Sequence, residues 1–290
     1  MRDDDVYVVN GSKIWISGAH KARFGILLAR TDPEVPRHRG ISYFICPMDL
    51  PRIELRTIVD MTTARSFNEV FFDDVRIPAT LLVGAEGDGW RQAKATLANE
   101  RVSLSGDGLL WGMGPSTEDL FALLRAGEQL RDSSYRDQAM RLYVEGKVLE
   151  LVQLWILAAQ FQRRAPGPEA SIRKLLAAEH GARVMTFVKD FAGAHGMLVG
   201  SGPAGNLPAH RHSAPTEVRF KRDLYPGGEA VWHYGFLFSP ALTMGGGTSI
   251  VQRNIIGERV LGLPPEPDLE RGMTWGEARR LSSSGTPPKR

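Results

Sequence analysis

The feature that most restricts what this chain can fold into is a change in the spacing of its apolar residues near Pro78. Before that point they alternate, as Val6/Val8, Ile14/Ile16, Ile26/Leu28, Ile41/Tyr43/Ile45, Ile53/Leu55 and Val70/Phe72. A repeat of two puts alternate side chains on one face of an extended backbone, so the stretch predicts half-buried strands. From about Gly89 the spacing becomes helical, in Ala93/Leu97, in Tyr143/Val144/Val148/Leu151/Leu154/Trp155 and in Ile172/Leu175/Leu176/Ala182/Val184/Phe187. These predict long amphipathic helices. Strands followed by helices, without alternation, make an α+β chain. We divide it into a strand domain over residues 1–86, a helical domain over 87–264, and a tail over 265–290 whose Pro, Ser and charged residues predict disorder.

Local signals refine this outline. Asn10-Gly11 between two alternating runs predicts a type I′ turn, and hence a β-hairpin at the start of the chain. Arg30 to Gly40 reads as a loop, as do Asp107 to Ser116, Arg163 to Glu169 and Gly196 to Pro215, all broken by Gly, Pro or charge. Ser249 and Gln252 are spaced as a capping box, which predicts a last helix from Ser249 to Gly262.

Composition excludes several functions. With 36 basic and 33 acidic residues the charge is nearly balanced, so there is no basic stripe for nucleic acid. No run approaches the roughly 18 apolar residues that a membrane helix needs, and Met1 to Asp5 is charged instead of apolar, so a cytoplasmic chain is expected without membrane insertion. Cys46 is the single cysteine, which rules out an intrachain disulfide and a cysteine-based zinc cluster; it is expected to be buried at the end of a strand. His210 and His212 lack identifiable further ligands and are read as part of an exposed loop, so no metal site is assigned.

Three separated segments resemble one family. Val9-Asn10-Gly11-Ser12-Lys13-Ile14-Trp15-Ile16-Ser17-Gly18 resembles the NGxKxWIT/S segment of acyl-CoA dehydrogenases. Phe67 to Pro78 resembles their (V/F)xFxDVxVP strand, followed by a Gly-rich turn, Gly84 to Gly89. Gly246-Gly247-Thr248-Ser249-Ile250-Val251-Gln252-Arg253-Asn254-Ile255-Ile256-Gly257-Glu258-Arg259-Val260-Leu261-Gly262 resembles the EGTSEIQRNIIAERVLG ending. The order and distances match, and together they cover most of residues 6–265. The resemblance implies a barrel-like strand domain followed by a C-terminal four-helix bundle, with the family's N-terminal helical domain absent.

It also implies FAD as cofactor and α,β-dehydrogenation of an acyl-CoA thioester, in which a carboxylate takes the proton from Cα while hydride leaves Cβ for the flavin. Most members carry that carboxylate just before GTS, where this chain has Gly246. A smaller set carries it in an xxER sequence on the helix after the strand domain. Leu97-Ala98-Asn99-Glu100-Arg101 resembles that sequence and makes Glu100 the expected base. Read alone, Glu100 and Arg101 are ordinary surface charges. By the same resemblance Arg101 and Gly246 contact substrate, and Trp15, Ser17, Gly193, Gly247 and Thr248 contact the cofactor. The RxxFG and QxxGGxG segments of typical members are replaced here by Arg131 to Gln138 and by Asp190 to Gly196, as in divergent bacterial members. The implied partners are an electron-transfer flavoprotein and further subunits, in a homo- or hetero-oligomer. Two other readings remain open: a non-catalytic subunit that completes a partner's flavin site, and a same-fold oxidase or monooxygenase.

Overall fold

The structure is a computed structural model. It describes residues 2–103, 108–110, 114–126, 128–162, 167–168, 170–194, 230–268 and 270–284, with the backbone alone for a few helical residues, 98–103 among them. The chain forms two compact units. One holds residues up to Leu97 together with the segment from Glu266, and the other is built from described residues between Ala98 and Pro265.

In the first unit six strands, β1 (Arg2–Asp3), β2 (Val6–Ser17), β3 (Phe24–Arg30), β4 (Ile41–Pro47), β5 (Ile53–Ile58) and β6 (Phe67–Pro78), form two antiparallel sheets, ordered β1-β2-β6-β5 and β3-β4. Tyr7, Leu27, Phe44, Val70, Val75 and Ile77 are buried together in their shared core. Beyond Tyr7, β2 has a ladder partner on one side only among the described residues, and β3 pairs only with β4.

The opening hairpin is present but turns earlier than expected. The turn is at Asp4-Asp5, where Asp4 has φ 51. Asn10-Gly11 instead lies inside β2, because the Asn10 side chain both donates to Asp74 Oδ1 and accepts from the Asp74 N–H, each at 2.8 Å. That cross-strand grip replaces a local turn. In β3 the inward residue is Leu27, and Ile26 is exposed.

α1 (Gly89–Ser103) begins directly on β4: a Cβ at Gly89 would lie 2.5 Å from the Ser42 carbonyl carbon, so only glycine fits this start. The second unit holds α2 (Thr117–Ala126), α3 (Ser133–Phe161), α4 (Ala170–Phe191), α5 (Ala230–Leu242) and α6 (Ser249–Arg259). Its core includes Leu110, Leu120, Leu142, Val184, Met185 and Leu242.

The buried face of α3 is not the expected one, and in α4 the expected Val184 and Phe187 are buried together with polar side chains. In α3, Tyr143, Val144, Val148, Leu151, Leu154 and Trp155 are exposed, and Ala139, Leu142, Gly146 and Ile156 are buried. In α4, Arg173, Lys174 and His180 are buried along with Val184, Met185 and Phe187; backbone carbonyls receive Lys174, and the Glu145 carboxylate receives His180. The cap of α6 is Thr248, one residue before the predicted Ser249, since its hydroxyl accepts from the Val251 N–H at 3.2 Å.

The segment expected to be a disordered tail carries α7 (Trp275–Ser284). The Glu277 carboxylate accepts from the Thr274 N–H and the Thr274 hydroxyl from the Glu277 N–H, which is a reciprocal cap. The Trp275 ring is covered by the Arg30 guanidinium at 4.4 Å, and Arg37 pairs with Glu270 at 2.9 Å, which ties the segment back to the loop after β3. The predicted loop over Gly196 to Pro215, with His210 and His212, lies outside the described residues.

Candidate active site

The residues singled out from the sequence fall in both units. Trp15 and Ser17 belong to the first, and Glu100, Arg101, Gly193 and Gly246 to Thr248 belong to the second. Each half has its own geometry.

At the far end of β2 the register slips: Lys13 opposes Val70 and Ile16 opposes Asn68, so β2 carries one extra residue. Trp15 takes up that extra length with φ 63, a conformation that costs a bulky side chain about 1–3 kcal/mol. Its ring is 59% exposed and meets Phe67 edge to face at 5.9 Å. Ile14 and Ile16 are exposed beside it, and Phe24 and Ile26 are exposed on β3. An apolar patch held out by a strained bulge is shaped to be covered.

Asn68 fixes the bulge. It is fully buried, donates from Nδ2 to the Ile16 carbonyl at 3.1 Å, and lies 3.1 Å from His20 Nδ1. Ser17, exposed and opposite Phe67, follows directly. The bulge breaks simple alternation between Trp15 and Ser17, so the predicted shared face does not follow from strand geometry alone.

The second half centres on the turn before α6. Gly246 and Gly247 have φ 65 and 94, and a Cβ on Gly247 would meet Gln252 Nε2 at 2.5 Å. Two buried side chains clamp the turn from inside. Gln252, 1% exposed, donates from Nε2 to the Gly246 carbonyl at 3.0 Å. Lys174, 3% exposed, donates from Nζ to the Gly247 carbonyl at 2.7 Å and to the Leu242 carbonyl at 3.1 Å.

A trans peptide sets its C=O and N–H on opposite sides. With both carbonyls drawn inward, the N–H groups of Gly247 and Thr248 turn the other way. Neither finds a backbone acceptor among the described residues. Outward N–H groups at the start of a helix are donors suited to a thioester oxygen or a phosphate. Gly246 itself offers no side chain for proton transfer.

Glu100 and Arg101 lie on the backbone of α1, and their side chains are outside the described residues. Gly193 has φ 55 just after α4 with nothing near a would-be Cβ, which is how an ordinary helix end uses glycine. Lys174 and Asn68 were not singled out from the sequence, and Gln252 was read only as the capping-box partner of Ser249. A charge inside the apolar run Ile172 to Leu176, and an amide inside the strand around Val70, were the available signals.

Among the described residues no group of three His, Cys, Asp or Glu could hold a metal ion, and no helix is long and apolar enough to cross a membrane. Residues 1–75 match the family described as acyl-CoA dehydrogenase, middle domain, and residues 87–261 match acyl-CoA dehydrogenase, C-terminal domain.

The chain belongs to the acyl-CoA dehydrogenase family.

Members of the family are FAD-dependent flavoproteins. The chain is 36% identical over 264 residues to acyl-CoA dehydrogenase FadE34 of Mycobacterium tuberculosis, spanning 91% of this chain and 32% of that protein. Among solved structures it resembles the Tcur3481-Tcur3483 steroid ACAD, at 26% identity and TM-score 0.74, over 91% of this chain and 63% of that one. It also resembles the ChsE4-ChsE5 complex of Mycobacterium tuberculosis, at 27% identity and TM-score 0.68, with the same coverage. The chain therefore spans about a third of one relative's length and under two thirds of the others'. What is present fits a flavoprotein of this family: an exposed aromatic on a strained bulge, and a glycine turn whose space and N–H groups are kept open from within.

Proposed function

We propose that this acyl-CoA dehydrogenase chain takes part in α,β-dehydrogenation of an acyl-CoA thioester, with Glu100 as the proton-abstracting base. The observation that carries this reading is the clamped turn at Gly246-Gly247. It offers donors and no carboxylate, so the base has to come from another element, and Glu100 on α1 is the matching acid. A carboxylate removed from water and aimed at the α-carbon is strengthened as a base, and N–H donors opposite it stabilise the enolate-like oxygen.

In this reading Gly246 and Arg101 border the thioester, and Gly247 and Thr248 supply N–H groups. Trp15 and Ser17 line the cofactor, and Gly193 sits near it. Bound FAD would supply the hydride acceptor. The residues of this chain bind and orient, keep water from the acidic carbon, and receive its proton at the Glu100 carboxylate.

A bulky acyl group is supported by the likeness to a steroid ACAD, and unlike subunits by the likeness to a two-protein complex. Electrons would leave to an electron-transfer flavoprotein, in the cytoplasm. A second reading, a non-catalytic subunit that completes a partner's flavin pocket, is favoured by the exposed patch around Trp15.

Glu100→Gln separates the two readings when the chain is assembled with its flavin. Under the first, dehydrogenation falls by at least about a thousandfold, in the range that loss of a positioned base costs, while flavin absorbance is retained. Unchanged turnover would assign the base elsewhere.

A further inference from the structure

A cavity of about 510 Å³ opens among α2, α3 and α4, within the size range of small-molecule sites. Leu109, Leu149 and Leu157 give it apolar walls, and His180 and Arg173 stand on the same wall from α4. His180 is 2% exposed. Its Nδ1 lies 3.0 Å from Glu145 Oε2, a carboxylate that Arg183 also holds, from Nε at 3.2 Å and Nη2 at 3.0 Å. Among the described residues its Nε2 is buried with no hydrogen-bond partner. Glu145, on the Nδ1 edge of the ring, does not border the cavity, whereas His180 itself does.

The chemistry of the missing group follows. Nδ1–H donates to the Glu145 carboxylate, and burial holds the ring's pKa below the ordinary histidine value despite that carboxylate, so Nε2 carries a lone pair and accepts. An uncompensated buried acceptor is costly. The partner must therefore donate a hydrogen bond. It should also be uncharged, because the charges around the cavity offset one another: Glu118 and Glu150 border it and pair with Lys147, and Arg173, 4% exposed, borders it from α4. A hydroxyl meets both demands, since it donates to Nε2 and can accept from a guanidinium.

We propose that this cavity is a binding site for a neutral, mainly apolar alcohol whose hydroxyl donates to His180 Nε2. It shares no residue with the Gly246 turn or the Trp15 bulge, so it stands whether or not the dehydrogenase reading does.

The test is a titration of the full chain, labelled with ¹⁵N-histidine, with cyclohexanol and 1-hexanol. Hexanoate and methylcyclohexane serve as comparators. The expected result is a saturable shift of the His180 Nε2 resonance with either alcohol, at least tenfold weaker with each comparator. Leu149→Trp fills the cavity from the opposite helix without touching the imidazole, and should weaken alcohol binding at least tenfold; His180→Phe should do the same if it folds. Trp155→Ala, on the exposed face of α3, should bind as the parent does. The proposal is overturned if Nε2 does not move with either alcohol, if it already sits at its hydrogen-bonded position in buffer because an ordered water fills the place, or if Leu149→Trp binds unchanged.

Discussion

At Cys46, burial alone resets the chemistry of a side chain. The thiol sits at the end of β4 with almost no exposure, and desolvation raises its pKa from the ordinary 9.0 to about 11. The neutral thiol is thus favoured in the fold. The stability this contributes is complete below the unfolded thiol's pKa and is lost as pH rises through the folded value. Denaturation midpoints should therefore fall between about pH 9 and pH 11, and Cys46→Ala should flatten that slope; the same slope in Cys46→Ala would remove the thiol as its cause. Lys174 and Asn68 teach the converse at the same scale. In sequence each looks like a surface residue, and only the fold reveals the carbonyls that they hold, since those carbonyls belong to residues 73 and 52 positions away. The turn at Gly246 was legible because a glycine run before a helix is a matter of neighbours in the chain.

Among the elements, α3 is the clearest case of a pattern read correctly and turned the wrong way. Its helical repeat is real, but a helix with apolar residues all round has two candidate inner faces, and spacing does not choose between them. Small Ala139 and Gly146 go inward, with Thr117 lying against Gly146, and Met140, Val144, Val148, Leu151 and Trp155 form an exposed stripe. A stripe of that length fits contact with another subunit. Val148→Asp combined with Leu151→Asp should shift the sedimenting mass toward the monomer while helical circular dichroism is retained. A parent chain that is already monomeric would sink the idea. The Asn10 turn failed for a different reason, namely that a cross-strand partner outcompeted a local propensity worth little by itself. The α7 helix was missed although its Thr274-Glu277 cap is local, because its packing under Arg30 depends on a residue more than 200 positions upstream.

For the molecule as a whole, the strand and helix halves were legible because hydrophobic period reports them directly. Which residues join the site was not, since that depends on bulges, caps and carbonyl clamps that leave no period. The two sheets carry one further lesson. Strands β2 and β3 border a single cavity of about 670 Å³ through Val8 to Lys13 and Leu27 to Thr31, each with a side that has no ladder partner among the described residues. Backbone amides of Phe24 to Arg30 should exchange with deuterium at least tenfold faster than those of β6 between Val70 and Phe72, which has neighbours on both sides. Equal protection would mean that the β3 side is already covered. Bare rims of this kind recruit any extended polypeptide that reaches them, and in a concentrated solution the nearest supply is another molecule of the same kind. Lys13, which lines that hollow, then acts as a gatekeeper: an intruding strand would have to strip water from its ammonium before it could pair.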